Sequence, residues 1–177
     1  MKRIRITDHS SPHFAKAWAL YQESFPLRNR RLLEDQQAAL QEEGYHFEVL
    51  EQAGRFIGIL LYWENARFIY IEHLAIDPTF QGGGMGTKVI DLLMQVGKKI
   101  ILAIEPIVDQ LTADHLNFYT RLGFWENTFL HIQPPYRAEF EGRKLHLLSW
   151  PKRLDADAYN AFTFYLTNKV MAYAEQV

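Results

Sequence analysis

The sequence predicts a single α/β (α+β) domain, a mixed sheet of about 6–7 strands with helices on both faces and one further helix at the C-terminus. Three observations predict it. Residues 45–76 hold three apolar, strand-like runs separated only by the turn sequences "EQAG" and "WENA". From residue 81 onward, helical periodicity alternates with strand-like runs, as in strand–helix–strand units. The chain has 177 residues, 48% of them hydrophobic, which suffices for one packed core but not for two comfortable domains.

Each element follows from its local pattern. Residues 3–7, "RIRIT", alternate charge and isoleucine like a half-exposed strand. Phe14, Ala17, Trp18, Tyr21 and Phe25 recur at helical spacing after a Ser11-Pro12 start. Residues 26–44 predict a second helix ended by Gly44. The runs 45–51, 55–63 and 67–76 predict strands joined by hairpins. Residues 84–96 predict a helix with Val89, Ile90, Leu93 and Val96 inward, closed by Gly97. "KKIILAIEP" reads as a buried strand stopped by Pro106, and "LTADHLNFYTRLGF" as a helix capped by Thr112 and stopped by Gly123. Strands are expected near 124–131 and 144–149. The tail from Asp155 is helical, with Phe162, Leu166, Val170 and Tyr173 on one stripe. That helix docks either on its own sheet or on a second subunit as a homodimer, and the sequence leaves both open.

Composition removes several function classes. The formal net charge is −2 with no basic stripe, so no nucleic-acid partner is expected. The absence of cysteine excludes disulfides, thiolate metal sites and cysteine nucleophiles. The seven histidines form no H-E-x-x-H motif, and no metal is expected. No apolar run approaches the ~20 residues of a membrane span, and the start lacks a signal-peptide pattern. A cytoplasmic protein without a membrane partner is the expectation.

The chemistry concentrates at "RFIYIEHLAIDPTFQGGGMGT", residues 67–87. Residues 68–76 are apolar on both alternating faces apart from Glu72 and His73, which predicts a central strand covered on both sides. A strand, a glycine loop and a helix N-terminus together form a generic anion site, because backbone N–H groups converge there and the helix dipole favours negative charge. Spacing then selects among anions. A P-loop would place lysine directly after the last glycine, whereas Thr87 precedes Lys88 here. A dinucleotide fingerprint would require a third glycine where Thr87 or Val89 stands. Glycines serving only a left-handed turn remain the alternative.

Gln81, Gly84 and Gly86 spell Q-x-x-G-x-G after a strand ended by Asp77-Pro78, and "NFYTRLGF" follows at residues 117–124. Both segments, in this order, resemble the signatures of the GNAT N-acetyltransferases, over roughly residues 3–149. The resemblance implies a mostly antiparallel, twisted GNAT-like sheet and acetyl-CoA as co-substrate. Gln81, Gly82, Gly83, Gly84, Met85, Gly86 and Thr87 would hold the pyrophosphate, and Gln81 adds no cation where the family also uses arginine. The backbone of Leu74, Ala75 and Ile76 would pair with the pantetheine arm, since a gap in a sheet leaves groups that need partners. Thr112 joins the cofactor-binding set where the family often has asparagine, seven residues before Tyr119.

Tyr119 falls on the family's tyrosine position and would protonate the departing thiolate; a core-filling aromatic is the structural alternative. An amine with pKa near ~10.4 must lose a proton before attack, and a carboxylate is the usual acceptor. Glu72 is the first candidate and Glu105 the second, with burial expected to raise either pKa; hydrogen-bonded strand carboxylates are the alternative. His73 is expected on the opposite face from Glu72, as a packed histidine, unless a bulge intervenes. Arg28, Arg30 and Arg31 read as a solvated helix face, or as attractors for an acidic acceptor. "QPPYR", residues 133–137, reads as a rigid proline turn or as a second cleft wall with Tyr136 and Arg137 inward. The implied function is acetyl transfer to a primary amine, small-molecule or peptide, by direct attack, with an oxyanion donor among residues 74–76. An acyl-CoA sensor without catalysis is the rival.

Overall fold

The computed structural model describes residues 1–175. Eight strands form one sheet: β1 (Lys2–Ile6), β2 (Tyr45–Gln52), β3 (Arg55–Glu64), β4 (Phe68–Ile76), β5 (Lys99–Ile104), β6 (Trp125–Glu126), β7 (His131–Gln133) and β8 (Arg143–Trp150). Their order is β1-β2-β3-β4-β5-β8-β6, with β7 also on β8. Every pairing is antiparallel except β4 with β5. Among the described residues five α-helices accompany the sheet: α1 (Phe14–Ser24), α2 (Leu33–Ala39), α3 (Met85–Met94), α4 (Gln110–Arg121) and α5 (Ala156–Tyr165).

The β2–β3 hairpin turns on Ala53 and Gly54, both at positive φ (51° and 72°), the two-residue geometry that matches strand twist. Two apolar layers flank the sheet. Tyr21 and Ala17 of α1, Ala39 of α2 and Phe162 of α5 pack on Phe47, Ile59, Trp63 and Tyr70. On the other face Val89, Ile90 and Leu93 of α3 pack with Ile69, Ile71, Ile100 and Leu102. The C-terminal helix therefore docks on its own sheet, with Phe162 against Tyr70 at 5.1 Å between centroids. No helix among the described residues is long and apolar enough to cross a membrane.

Three expectations are corrected. The expected strand 124–131 is two short strands, because Asn127 bonds the edge of β8 through its side chain. Its amide donates to the Leu147 carbonyl (3.1 Å) and to Ser149 Oγ (3.0 Å), and its Oδ1 accepts from Leu154 N. The second helix shrinks to Leu33–Ala39, preceded by one 3-10 turn at Leu27–Asn29, with Arg30 extended (φ −121°, ψ 139°). The cap of α4 is Asp109 rather than Thr112. Thr112 is the third helical residue of a capping box: Asp109 Oδ1 accepts from Thr112 N at 2.9 Å, and Thr112 Oγ1 accepts from Asp109 N at 3.1 Å.

Candidate active site

The site begins with a register change. Tyr62 pairs with Ile71 and Leu61 with His73, so Glu72 is the extra residue of a β-bulge in β4. Before the bulge, Phe68–Ile71 pair in parallel with Lys99–Leu102; beyond it β4 and β5 part. β4 stays on β3 while β5 follows β8 as far as Ile104 opposite His146. Asp77 N donates to Ile57 O at 2.8 Å. By ladder alternation, Leu74 and Ile76 therefore turn their N–H and C=O groups into the gap. The edge is thus open at Leu74 and Ile76, while Ala75, the third residue expected there, turns toward β3.

The glycine run lies at the mouth of this gap. Gln81 Nε2 donates to the Ile76 carbonyl at 3.1 Å, fastening the loop to the strand end. Gly82 (φ +78°) and Gly84 (φ +70°) hold left-handed conformations, and a Cβ at either would meet no other atom within 4 Å. Gly84 caps α3, and the first helical rung runs from Lys88 N to Gly84 O. The N–H groups of Met85, Gly86 and Thr87 thus precede the hydrogen-bonded ladder and point outward from the helix start. At Gly86 a Cβ would come within 3.3 Å of Phe118, so this glycine lets α4 approach. Phe118 packs edge-on to Tyr119 (4.9 Å), and Tyr119 packs on Phe124 (5.5 Å). Burial pushes the Tyr119 phenol up to about 12, so it keeps its proton at neutral pH. Thr112 spends its hydroxyl on the α4 cap.

The bulge also corrects the side-chain directions. Glu72 and His73 share the α1 face, since one extra residue cancels one alternation. The Glu72 side chain is wholly enclosed. Arg31, also 0% exposed, grips both carboxylate oxygens at 2.6 and 2.7 Å. Tyr136 Oη donates at 2.7 Å and Trp63 Nε1 at 3.3 Å. Burial alone would raise the Glu72 pKa, as expected from sequence, but the charge and hydrogen bonds of Arg31 bring it below the usual carboxylate value. Arg31 is therefore no solvated arginine. Its guanidinium lies 4.9 Å from the Tyr136 ring and 5.5 Å from that of Tyr45, and it donates to the carbonyls of Tyr173 and Val170. Tyr136 is buried against Glu72, and Arg137, the other residue of the expected cleft wall, donates to the Arg30 carbonyl at 3.2 Å.

Glu105 follows β5 across the gap, ion-paired to Arg143 and 42% exposed. His73 packs against Tyr21 and Phe25, and its Nε2 faces the Asn29 carbonyl at 2.8 Å. The loop, the open edge and Tyr119 thus gather at one end of the β4–β5 gap, with Glu105 opposite and Glu72 sealed on the α1 face. Arg31 went unread as a partner of Glu72. The signal was the glutamate itself, since a carboxylate inside an apolar strand needs a cation. The open loop, helix start and strand edge fit a diphosphate with an extended amide arm such as that of acetyl-CoA.

The acetyltransferase (GNAT) family profile matches residues 13–124. The chain belongs to the GNAT acetyltransferase family. As a GNAT protein it is an N-acetyltransferase, and its sheet, split between β4 and β5, is the mixed, mostly antiparallel GNAT fold. A Bacteroides thetaiotaomicron structure, described as a "Putative acetyltransferase from GNAT family", superimposes with TM-score 0.88 at 27% identity, covering 97% of this chain and 98% of that one. Bacillus subtilis (strain 168) "Putative acetyltransferase YjbC" is 27% identical over 139 residues, 76% of this chain and 70% of that protein. Arabidopsis thaliana Naa50, solved with the bisubstrate analogue CoA-Ac-MVNAL, shares the fold at TM-score 0.57 and 16% identity, over 84% of this chain and 96% of its own.

Proposed function

We propose that this GNAT protein transfers an acetyl group from acetyl-CoA to a primary amine by direct attack. The observation that carries this reading is the parting of β4 from β5 beside a glycine-lined helix start, with Tyr119 packed at the same end. Acetyl-CoA supplies the thioester. Residues 81–87 hold its pyrophosphate through backbone N–H groups, and Leu74, Ala75 and Ile76 line its arm, with Leu74 and Ile76 supplying strand-edge hydrogen bonds. A backbone N–H of the same edge stabilises the oxyanion. Tyr119 donates a proton to the thiolate.

Of the two carboxylates, Glu105 is the one that solvent and an amine reach, and it takes the proton the nitrogen loses. Glu72 has its oxygens committed to Arg31, Tyr136 and Trp63, which suits holding the bulge rather than moving protons. The acceptor is a small molecule or a peptide amine, and the reaction is cytoplasmic.

The test is thiol release from acetyl-CoA over a panel of primary amines, together with the melting temperature. Acetyl-CoA at 100 times its Kd is expected to stabilise the fold by about 2.7 kcal/mol. Tyr119→Phe is expected to cut turnover by roughly 10²-fold or more while leaving that stabilisation in place. Stabilisation by acetyl-CoA with no thiol release from any amine of the panel would overturn the direct-attack reading.

A further inference from the structure

The β4–β5 gap has a charged wall on its β5 side. Ile71 and Leu102 are the last residues to pair the two strands. Leu74 lies three residues past Ile71, and Glu105 three past Leu102, so the two stand at equal depth in the gap. Ile101 of β5 and Leu147 of β8 belong to the α1-face core, and Ala103 packs against it. Strand alternation therefore puts Glu105 and Arg143 on that same face, where Arg143 Nη1 donates to Glu105 Oε1. The Arg143 charge is also felt on β4. Burial above all lowers the His73 pKa to about 4, and the charges of Arg31 and Arg143 add to it.

The contrast with Arg31 and Glu72 lies in what each pair leaves free. Arg31 and Glu72 spend their bonds on each other, on Tyr136 and Trp63, and on two backbone carbonyls. Both of those side chains are 0% exposed. Among the described residues the Arg143 side chain makes one hydrogen bond, by Nη1, and the Glu105 side chain accepts one, at Oε1. Their side chains are 24% and 42% exposed. Glu105 Oε2 and the Nε and Nη2 hydrogens of Arg143 are thus open to a molecule arriving from solvent.

Such a pair matches its own complement: a carboxylate for the open guanidinium, and an amino group for the open carboxylate oxygen. Because Glu105 and Arg143 touch, the two ligand groups must be neighbours as well. They are neighbours when both sit on one carbon. Ile107, Val108 and Leu111, which follow Glu105 into α4, are exposed, so apolar surface adjoins the pair in the chain.

We propose that Glu105 and Arg143 together select an α-amino acid as the acceptor, Glu105 receiving its amino group and Arg143 its carboxylate. The inference narrows the acetyl-transfer reading above and rests on it. The ammonium gives one proton to Glu105, and the freed electron pair on nitrogen attacks the thioester carbon. As the C–S bond breaks, the thiolate takes a proton from Tyr119 and the nitrogen releases its second proton to solvent. Solvent then restores Tyr119 and Glu105, so of the two protons lost by nitrogen one ends on the thiol and one in solution. The product is an N-acetyl amino acid, whose amide nitrogen no longer carries a charge for Glu105 to hold.

The experiment measures kcat/KM at saturating acetyl-CoA for alanine, valine, leucine, isoleucine, methionine and phenylalanine. Each is set against the amine left by removing its carboxylate, in wild type, Arg143→Gln and Arg143→Lys. Wild type is expected to favour the best amino acid over its amine by about tenfold or more. Arg143→Gln is expected to raise the KM for that amino acid by about tenfold and to bring the ratio near one. Arg143→Lys, which keeps the charge without the fork, should retain part of the preference.

If Arg143 only held Glu105 in place, amino acid and amine would fall together in Arg143→Gln and the ratio would persist; that result overturns the inference. The wild-type ratio needs no variant, and a value of one or less overturns it as well. Thiol release with other amines but with none of these amino acids removes this inference and leaves acetyl transfer standing. Absence of thiol release with every amine removes the reading beneath it.

Discussion

Glu72 and Arg31 show how a pair of charges can be enclosed without being idle. Both side chains are fully buried, and the pair is satisfied by two direct bonds plus Tyr136 and Trp63. Desolvating two ions is expensive, so such a pair adds little net stability, but removing one partner strands the other charge. Arg31→Ala is therefore expected to destabilise the fold by roughly 3–5 kcal/mol in urea melts, and Arg31→Met with Glu72→Gln by clearly less. Equal losses for the single and double variants would refute the stranded-charge argument. This arrangement was not legible in sequence. Glu72 was visible as an anomaly, but its partner lies 41 residues away in a stretch that reads as an exposed helix.

Among the elements, those with strong internal periodicity were legible and those shaped by distant contacts were not. β2, β3, β4, α3, β5 and α4 lie within a few residues of their expected bounds. The break between β6 and β7 depends on Asn127 bonding β8, and the shortening of α2 on Arg31 reaching Glu72; neither is a local property. The bulge at Glu72 is likewise a register between two strands and leaves no mark on one. The glycine loop was legible because its φ values demand the residue type. Gly84→Val must hold a branched side chain at φ +70° over the open loop, at a strain of roughly 1–3 kcal/mol. Calorimetry should show acetyl-CoA affinity falling at least about tenfold, with Gly84→Ala in between. Unchanged affinity in Gly84→Val would reduce the loop to a turn. Gln81→Ala should weaken binding only modestly, since its amide holds the Ile76 carbonyl.

At the scale of the whole molecule, buried titrating groups shape the acid limb of stability, Glu48 and His73 among them. Glu48 is 7% exposed. Burial opposes its charge, but hydrogen bonds from His46 and Arg3 and the charge of Arg3 lower it from 4.5 to about 2. A depressed carboxylate stabilises fully above about 4.5 and loses that contribution as pH falls through about 2, roughly 3 kcal/mol in all. His73 acts higher. Its pKa drops from 6.5 to about 4 on folding, so the unfolded chain binds the extra proton between those values and stability declines as pH falls across them. Melting temperature against pH should therefore decline below about 6.5 and again below about 4.5, the first decline reduced in His73→Asn and the second in Glu48→Gln, since His131 and Glu72 are depressed as well. A single stage shared by both variants would contradict the assignment.

The Arg31 side chain also imposes an order of events on the nascent chain. Its guanidinium bonds the carbonyl of Tyr173, a contact spanning 142 residues, as well as Glu72 and the ring of Tyr136. During synthesis Arg31 emerges before Glu72, Glu72 before Tyr136, and the Val170–Tyr173 segment that closes the cluster after all three. Contacts of such separation are entropically slow to form. The α1 face of β4 is thus completed only when the C-terminal segment arrives, so a ribosome that stalls before Val170 holds a sheet whose buried charges have not yet been closed in.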